Sequence, residues 1–187
     1  MSEVIQKPDV EASGHACKMT RRRFLALSGA TAIATKTISL TLYPGAEAKA
    51  EVVTYPRQKI ASLSALKDHE PVDFAYPDGN AAAMLVKMGG LEGGGGVGPQ
   101  RDVVAFSYVC VHQGGPLQKT YKLTGDQCTM GQCPLHLSTY DMRRHGIVVS
   151  GQAYESLPQI LLELDGDDIY AVGVMGLIYG RHQNIIS

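Results

Sequence analysis

The chain has 187 residues, a formal charge of −1, no Trp and 21 Gly. That length suits one domain with an extension, and the charge excludes the basic excess that nucleic-acid binding needs. Aromatic residues are only 6% of this glycine-rich chain, which favours a strand- and loop-rich domain over a helical bundle.

Residues 20–42, "TRRRFLALSGATAIATKTISLTL", pass from a basic start to a weakly apolar run, and "YPGAEAKAE" then offers small residues at A-x-A spacing. This is the layout of an export signal. Thr20–Leu25 resembles the twin-arginine (Tat) pattern S/T-R-R-x-F-L at each position. A retained membrane anchor is the competing reading. Lys36 weighs against it, because a charge at the bilayer centre costs about 2.5–3.5 kcal/mol and the run holds little Leu or Ile as an offset. The expected division is a Tat signal region over 1–50 and a folded domain over 51–187, with cleavage after Ala48 or Ala50. Cut after Ala50, the chain keeps 10 Lys and Arg against 14 Asp and Glu, a net −4 without a membrane-binding basic patch. The twin-arginine route carries proteins already folded, which suits a cofactor inserted in the cytoplasm. A periplasmic redox protein is the implication.

"VVTYP" and "VDFAYP" are short, rich in β-branched and aromatic residues, and stopped by proline, so both predict strands. "AAAMLVKM" fits a strand or a short helix. Gly89–Pro99, "GGLEGGGGVGP", has no GKS or GKT behind it and predicts a flexible or partner-contacting loop, not a phosphate cradle. "DVVAFSYVC" predicts a strand running into Cys110. "QILLELDGDDIYAVGV" predicts a hairpin closed by an Asp/Gly turn. Short strands with turn breakers make an all-β domain.

Three of the four cysteines, Cys110, Cys128 and Cys133, fall within two dozen residues and interleave with two histidines; the fourth is Cys17. Such spacing reads as ligands before bridges. Cys110 and His112 stand as C-x-H, and Cys133 and His136 as C-P-x-H, so each of two loops offers one thiolate and one imidazole. Zinc accepts the same ligand types, but zinc fingers pair like with like, as C-x₂₋₄-C and H-x₃₋₅-H. The interleaved order is the spacing of a Rieske 2Fe–2S centre, in which two thiolates hold one iron and two imidazoles the other. The expected ligands are Cys110, His112, Cys133 and His136, for one 2Fe–2S cluster.

Ser138 and Tyr140 extend the match to the Rieske pattern C-P-x-H-x-S-x-Y. The resemblance implies that their hydroxyls donate hydrogen bonds to a sulfide and to a cysteine sulfur. Such donors favour the reduced cluster and so place the potential in the upper half of the range of about −150 to +300 mV. His112 and His136 can present their free ring nitrogens outward, and proton uptake there would make the potential fall at alkaline pH. Many respiratory members carry two further cysteines that tie the loops together; here those places hold Gly115 and Leu135. The clamp is expected to be missing, with Cys128 a free or buried thiol. The remaining histidines, His15, His69, His145 and His182, read as solvated or structural, with a partner contact a further option for His145.

Beyond the motif, "PVDFAYPDGNAAAMLVKMGG", "VGPQRDVVAFSYVCVHQGGPL" and "AVGVMGLIYGR" resemble the small Rieske subunit of arsenite oxidase. That resemblance implies a Rieske-type antiparallel β-sandwich with a small two-loop cluster-binding subdomain over about 108–141. It implies an electron-transfer subunit beside a large molybdopterin and iron–sulfur catalytic subunit. Electrons would pass to a periplasmic cytochrome c or an azurin-like copper protein. No catalytic constellation remains in this chain once the cluster ligands are assigned. Rieske subunits of quinol-oxidising cytochrome complexes are the alternative, disfavoured by Lys36 and Leu135. Ferredoxins of ring-hydroxylating oxygenases are disfavoured by the twin arginines and the Ser138/Tyr140 pair, and a zinc-binding interaction module by the interleaved order.

Overall fold

The computed structural model describes residues 54–185; the expected export signal and the division at residue 50 lie outside them. Ten strands make up the regular structure: β1 (Gln58–Ser62), β2 (Val72–Ala75), β3 (Ala82–Lys87), β4 (Val103–Ser107), β5 (Tyr121–Thr124), β6 (Gln127–Met130), β7 (Thr139–Asp141), β8 (Ile147–Ser150), β9 (Gln159–Asp165) and β10 (Asp168–Met175). The only helical segments among the described residues are 3-10 turns at Leu63–Ala65 and Met142–Arg144. All strand pairs are antiparallel, in a six-stranded sheet ordered β1-β10-β9-β4-β3-β2 and a four-stranded sheet ordered β5-β6-β7-β8. The all-β class read from the sequence is the class observed.

Strands β3 and β4 explain why periodicity alone left "AAAMLVKM" open. Met84, Val86, Val104 and Phe106 face one core, shared with Cys128, Met130 and Tyr140 of the small sheet. Ala83, Leu85, Val103 and Ala105 face a second core, with Ile160, Ile169 and Ala171. A strand buried on both faces reads as a continuous apolar run, so its alternation is hidden. Complete burial of such a Leu or Phe contributes about 1.5–3 kcal/mol, and this doubly packed centre carries the first ligand loop.

The β9–β10 hairpin closes through Gly166-Asp167, with Asp165 opposite Asp168 and Gly166 at φ 62°. This is the two-residue turn chemistry expected there.

Three readings need correction. Thr54–Arg57 is irregular, and the first described strand is β1, held by its pairing with β10. The strand expected to reach Cys110 ends at Ser107, whose Oγ accepts the Val109 N–H (3.1 Å) and turns the chain out of the ladder. The glycine-rich loop is tightly packed: a Cβ on Gly96 would stand 2.2 Å from the Arg101 carbonyl oxygen, and one on Gly93 2.6 Å from Met88 Cε. Its glycines serve close approach. The four short strands of the small sheet were not foreseen; they turn the cluster subdomain into a sheet with loops at its end.

Candidate metal centre

Each motif-bearing loop is closed by its own backbone. In the first, the Cys110 N–H donates to the Gly115 carbonyl and the Gly114 N–H to the Cys110 carbonyl, both at 2.9 Å. Leu117 N–H binds Tyr108 O (2.8 Å), and the Tyr108 hydroxyl donates to Asp73 Oδ1 (2.5 Å), fastening this loop to β2. In the second, between β6 and β7, Cys133 N–H donates to Ser138 O and Leu137 N–H to Cys133 O, both at 2.9 Å. Leu137 takes φ 61°, a left-handed conformation uncommon for leucine.

The loops face each other, Gly115 against Cys133 and Leu135, and His112 against His136, and sort the four expected ligands by depth. Cys110 and Cys133 are buried free thiols. His112 is half-buried and His136 exposed, their rings edge to face with centroids 4.7 Å apart. Burial pushes the Cys133 thiol up; the Leu135 N–H opposes that, and the neighbouring Cys110 thiol adds to it. Bound iron would reverse the balance, because a coordinating thiol is deprotonated by its metal.

The two hydroxyls flank this pair. Tyr140 Oη lies 3.0 Å from Cys110 Sγ in full burial. Burial first, and then the adjacent Cys110, hold its phenol well above the ordinary range, so it stays a donor. Buried Ser138 accepts at Oγ from the N–H groups of Gln152 (3.2 Å) and Ala153 (3.1 Å). Its own hydrogen is left to point elsewhere.

That third loop escaped sequence reasoning. Gly151 holds φ 93°, and a Cβ there would stand 2.3 Å from Ser138 Cα, so only glycine allows the approach. A lone glycine directly after "IVVS" was the available signal. The closing segment escaped as well. The Tyr179 ring lies on Gly114, where a Cβ would be 2.9 Å from it, and Arg181 grips Asp78 through Nη1 (2.5 Å) and Nη2 (3.0 Å). A cleft of about 480 Å³ is lined by this segment together with His112, Tyr154 and Glu155.

Cys128 is a buried free thiol, as expected, 3.7 Å from the Tyr121 hydroxyl. His69 Nδ1 lies 3.1 Å from the same hydroxyl. His145 Nδ1 lies 2.8 Å from Gln159 Oε1, while Gln159 Nε2 donates to Gly94 O (2.7 Å). His145 is thus a tie between the two sheets and the glycine-rich loop.

The donor set suits a two-iron centre: a thiol pair inside, an imidazole pair outside, and hydroxyl donors at the thiol side. Among the described residues no three His, Cys, Asp or Glu side chains are gathered as one mononuclear ion requires.

A fold of two antiparallel sheets whose end loops pair cysteines with histidines defines a Rieske-type iron–sulfur protein. The Rieske [2Fe-2S] domain model matches residues 57–160, and the chain belongs to that family, with one 2Fe–2S cluster as its cofactor. The chain is 52% identical to iodate reductase subunit IdrB of Denitromonas iodatirespirans, over 94% of this chain and 92% of that one. It is 51% identical to iodate reductase subunit IdrB of Pseudomonas sp. (strain SCT), over 92% and 88%. Among solved structures, the soluble domain of the Rieske protein II (soxF) from Sulfolobus acidocaldarius superposes with a TM-score of 0.60 at 28% identity, over 69% of this chain and 83% of that one.

Proposed function

We propose that this chain is the electron-transfer subunit of a periplasmic, molybdenum-containing oxidoreductase. Cys110 and Cys133 would hold one iron of the cluster, His112 and His136 the other. The single observation that carries the reading is the depth sorting, with thiols buried under Tyr140 and imidazoles at the surface. When bound, the cluster supplies a one-electron carrier. The chain's residues do the rest. The Tyr140 hydroxyl stabilises negative charge at Cys110 Sγ, and Ser138, oriented by the Gln152 and Ala153 N–H groups, adds a second donor. The imidazole edges bring the centre within reach of a partner. Export through the Tat system, with the signal over 1–50, belongs to the same reading.

Two reactions suit the whole complex, and they run electrons in opposite directions. The relatives named as iodate reductase subunits support iodate reduction, in which this subunit delivers electrons from a soluble carrier to a large catalytic subunit. The resemblance to the arsenite oxidase small subunit supports the reverse flow, from a large catalytic subunit to a cytochrome c or azurin-like acceptor. Low-temperature electron paramagnetic resonance on the complex purified from its source separates them. Iodate erasing the signal of the dithionite-reduced Rieske centre supports the first; arsenite generating that signal in the oxidised complex supports the second. If neither changes a signal that dithionite produces, the cluster stands and both reactions fall.

A further inference from the structure

The two ligand loops touch at their tips, Gly115 against Leu135, yet among the described residues no backbone hydrogen bond joins 110–117 to 132–138. At the base the two arms are joined, and the joint is one hydroxyl. Leu117–Thr120 closes a tight turn after the first loop, the Thr120 N–H meeting the Leu117 carbonyl at 3.2 Å, with Lys119 left-handed at φ 62°. Thr120 Oγ1 donates to the same carbonyl at 2.7 Å. That fixes the hydroxyl hydrogen and leaves the oxygen to accept the Gly131 N–H at 3.0 Å. Leu117 is fully buried and its own N–H is held by the Tyr108 carbonyl, so the tie starts from a fixed point. On the other side, Gly131 leads into Cys133 through Gln132 and is pressed on the returning arm of its loop. A Cβ there would stand 2.7 Å from both the Ser138 carbonyl oxygen and Thr139 Cα. Thr120 thus couples the loop of Cys110 and His112 to the loop of Cys133, His136 and Ser138.

We propose that Thr120 is a positioning residue for electron transfer: its hydroxyl sets the separation of the two ligand loops, and with it the reach of the Ser138 donor to the centre. The proposal rests on the cluster reading above. Hydrogen bonds around the ligands orient them and tune the potential of an iron–sulfur centre. Only a hydroxyl at this position donates to one arm and accepts from the other at a single atom. The Gly131 N–H also reaches the Thr120 carbonyl, at 3.2 Å, so removing the hydroxyl leaves no orphaned donor and costs the fold little. What goes is the shorter of the two bonds, and the second loop gains freedom to swing about the one that remains. Ser138 moves with Gly131 and then donates less well toward the added negative charge of the reduced centre. That state loses stabilisation, and a spread of loop separations gives a spread of cluster environments.

The test is a redox titration followed by electron paramagnetic resonance on the cluster-loaded protein and its variants. Thr120→Val keeps the branched shape without the hydroxyl, and Thr120→Ser keeps the hydroxyl. Thr120→Val should shift the potential down, broaden the reduced Rieske signal and lose iron to a chelator several-fold faster. Thr120→Ser should keep the unmodified potential and line width. Ile169→Val, a trimming of a fully buried side chain in the second core, controls for stability alone: it should lower the unfolding temperature and leave potential and line width unchanged. An unmodified potential and line shape in Thr120→Val overturn the proposal, as do shifts that Thr120→Ser shares in full or that Ile169→Val reproduces. If Thr120→Val takes up no cluster, Thr120→Ser decides: normal loading and potential assign the role to the hydroxyl, and equal failure overturns it. If dithionite yields no Rieske signal from the unmodified protein, the cluster reading fails and takes this tie with it. A normal signal that Thr120→Val leaves untouched sinks the tie alone.

Discussion

Gly115 and Leu135 face each other across the two ligand loops: a Cβ on Gly115 would stand 3.1 Å from Leu135 Cδ1 and Cγ, and 2.5 Å from Cys133 Sγ behind them. Leu135 is also 53% exposed, so it bridges the loops while presenting an apolar surface. Across a disulfide, with its S–S bond of about 2.05 Å, a Cβ lies about 3 Å from the far sulfur. The Leu135 Cγ therefore occupies the place a second sulfur would take. The double variant Gly115→Cys/Leu135→Cys should form the cross-loop bridge on oxidation, with Cys133 Sγ shifting to admit the new Cβ. Closing a loop of this size stabilises by about 2–4 kcal/mol. Thiol counting after denaturation would detect the bridge, and slower iron loss to a chelator would report its effect. Two free thiols retained under oxidising conditions would contradict the facing geometry.

Tyr140→Phe removes the hydroxyl 3.0 Å from Cys110 Sγ and little else. The reduced cluster bears the extra negative charge, so the lost donor weakens that state more than the oxidised one. A hydrogen bond stronger in the reduced state by about 1–2 kcal/mol corresponds to about 40–90 mV for one electron, and the potential should fall by that order. Redox titration followed by electron paramagnetic resonance measures it. An unchanged potential would mean that the hydroxyl does not act on the sulfur.

Ser138→Ala should behave differently, because Ser138 Oγ also receives the Gln152 and Ala153 N–H groups. Its loss strips both of their partner at a buried site, a cost of about 1–3 kcal/mol. Thermal unfolding of the apo-protein should therefore show destabilisation where Tyr140→Phe shows less, and the holo-protein should show a lowered potential as well. Stability equal to the unmodified chain would rule out the supporting role of Ser138 for the third loop.

How much of this was legible beforehand can be judged residue by residue. Cys110, His112, Cys133 and His136 were found because their interleaving is a local pattern, and Ser138 and Tyr140 because they follow at fixed offsets. The β9–β10 hairpin was legible for the same reason, since "DGDD" sits between two alternating runs. The β5–β6 hairpin carried a comparable Gly125-Asp126 turn between "YKLT" and "QCTM", yet β5 is mostly exposed and both strands are only four residues long, too short to show a pattern. Gly151 and Tyr179 reach the site from 13 and 39 residues beyond Ser138 and Tyr140, and no local rule announces such contacts. Only the fold brings Gly151 against Ser138, or Tyr179 onto Gly114.

Gly94→Ala tests the tie between the sheets. A Cβ there would stand 2.6 Å from His145 Cδ2, and that ring is already engaged with Gln159. The clash would push His145 off Gln159, whose buried side chain would then lose one of its two partners. An unsatisfied buried group costs about 1–3 kcal/mol, so thermal unfolding should shift down by that equivalent. His145→Gln, which can keep a bond to Gln159, should recover part of the loss in the Gly94→Ala background. No recovery would mean that the ring's packing, not its hydrogen bond, is what matters.

The last prediction concerns acid. Arg181 is nearly buried and grips Asp78 through two nitrogens, holding the carboxyl below the ordinary carboxylate range. A carboxyl whose folded pKa is depressed contributes stability above its unfolded value, about 3.9, and loses it as the pH falls through the folded one. Arg181→Gln should therefore cost about 1–2 kcal/mol at neutral pH, the scale of a charge-assisted bond with partial exposure. The gap between variant and unmodified protein should close as the pH drops below about 4, because protonated Asp78 no longer rewards the arginine. The same substitution frees the segment that lays Tyr179 on Gly114, so iron release to a chelator at neutral pH should quicken even where the fold persists. Unfolding midpoints of the two proteins at both ends of that range decide it: a gap that persists in acid would assign the effect to packing of the Arg181 stem and not to its charge.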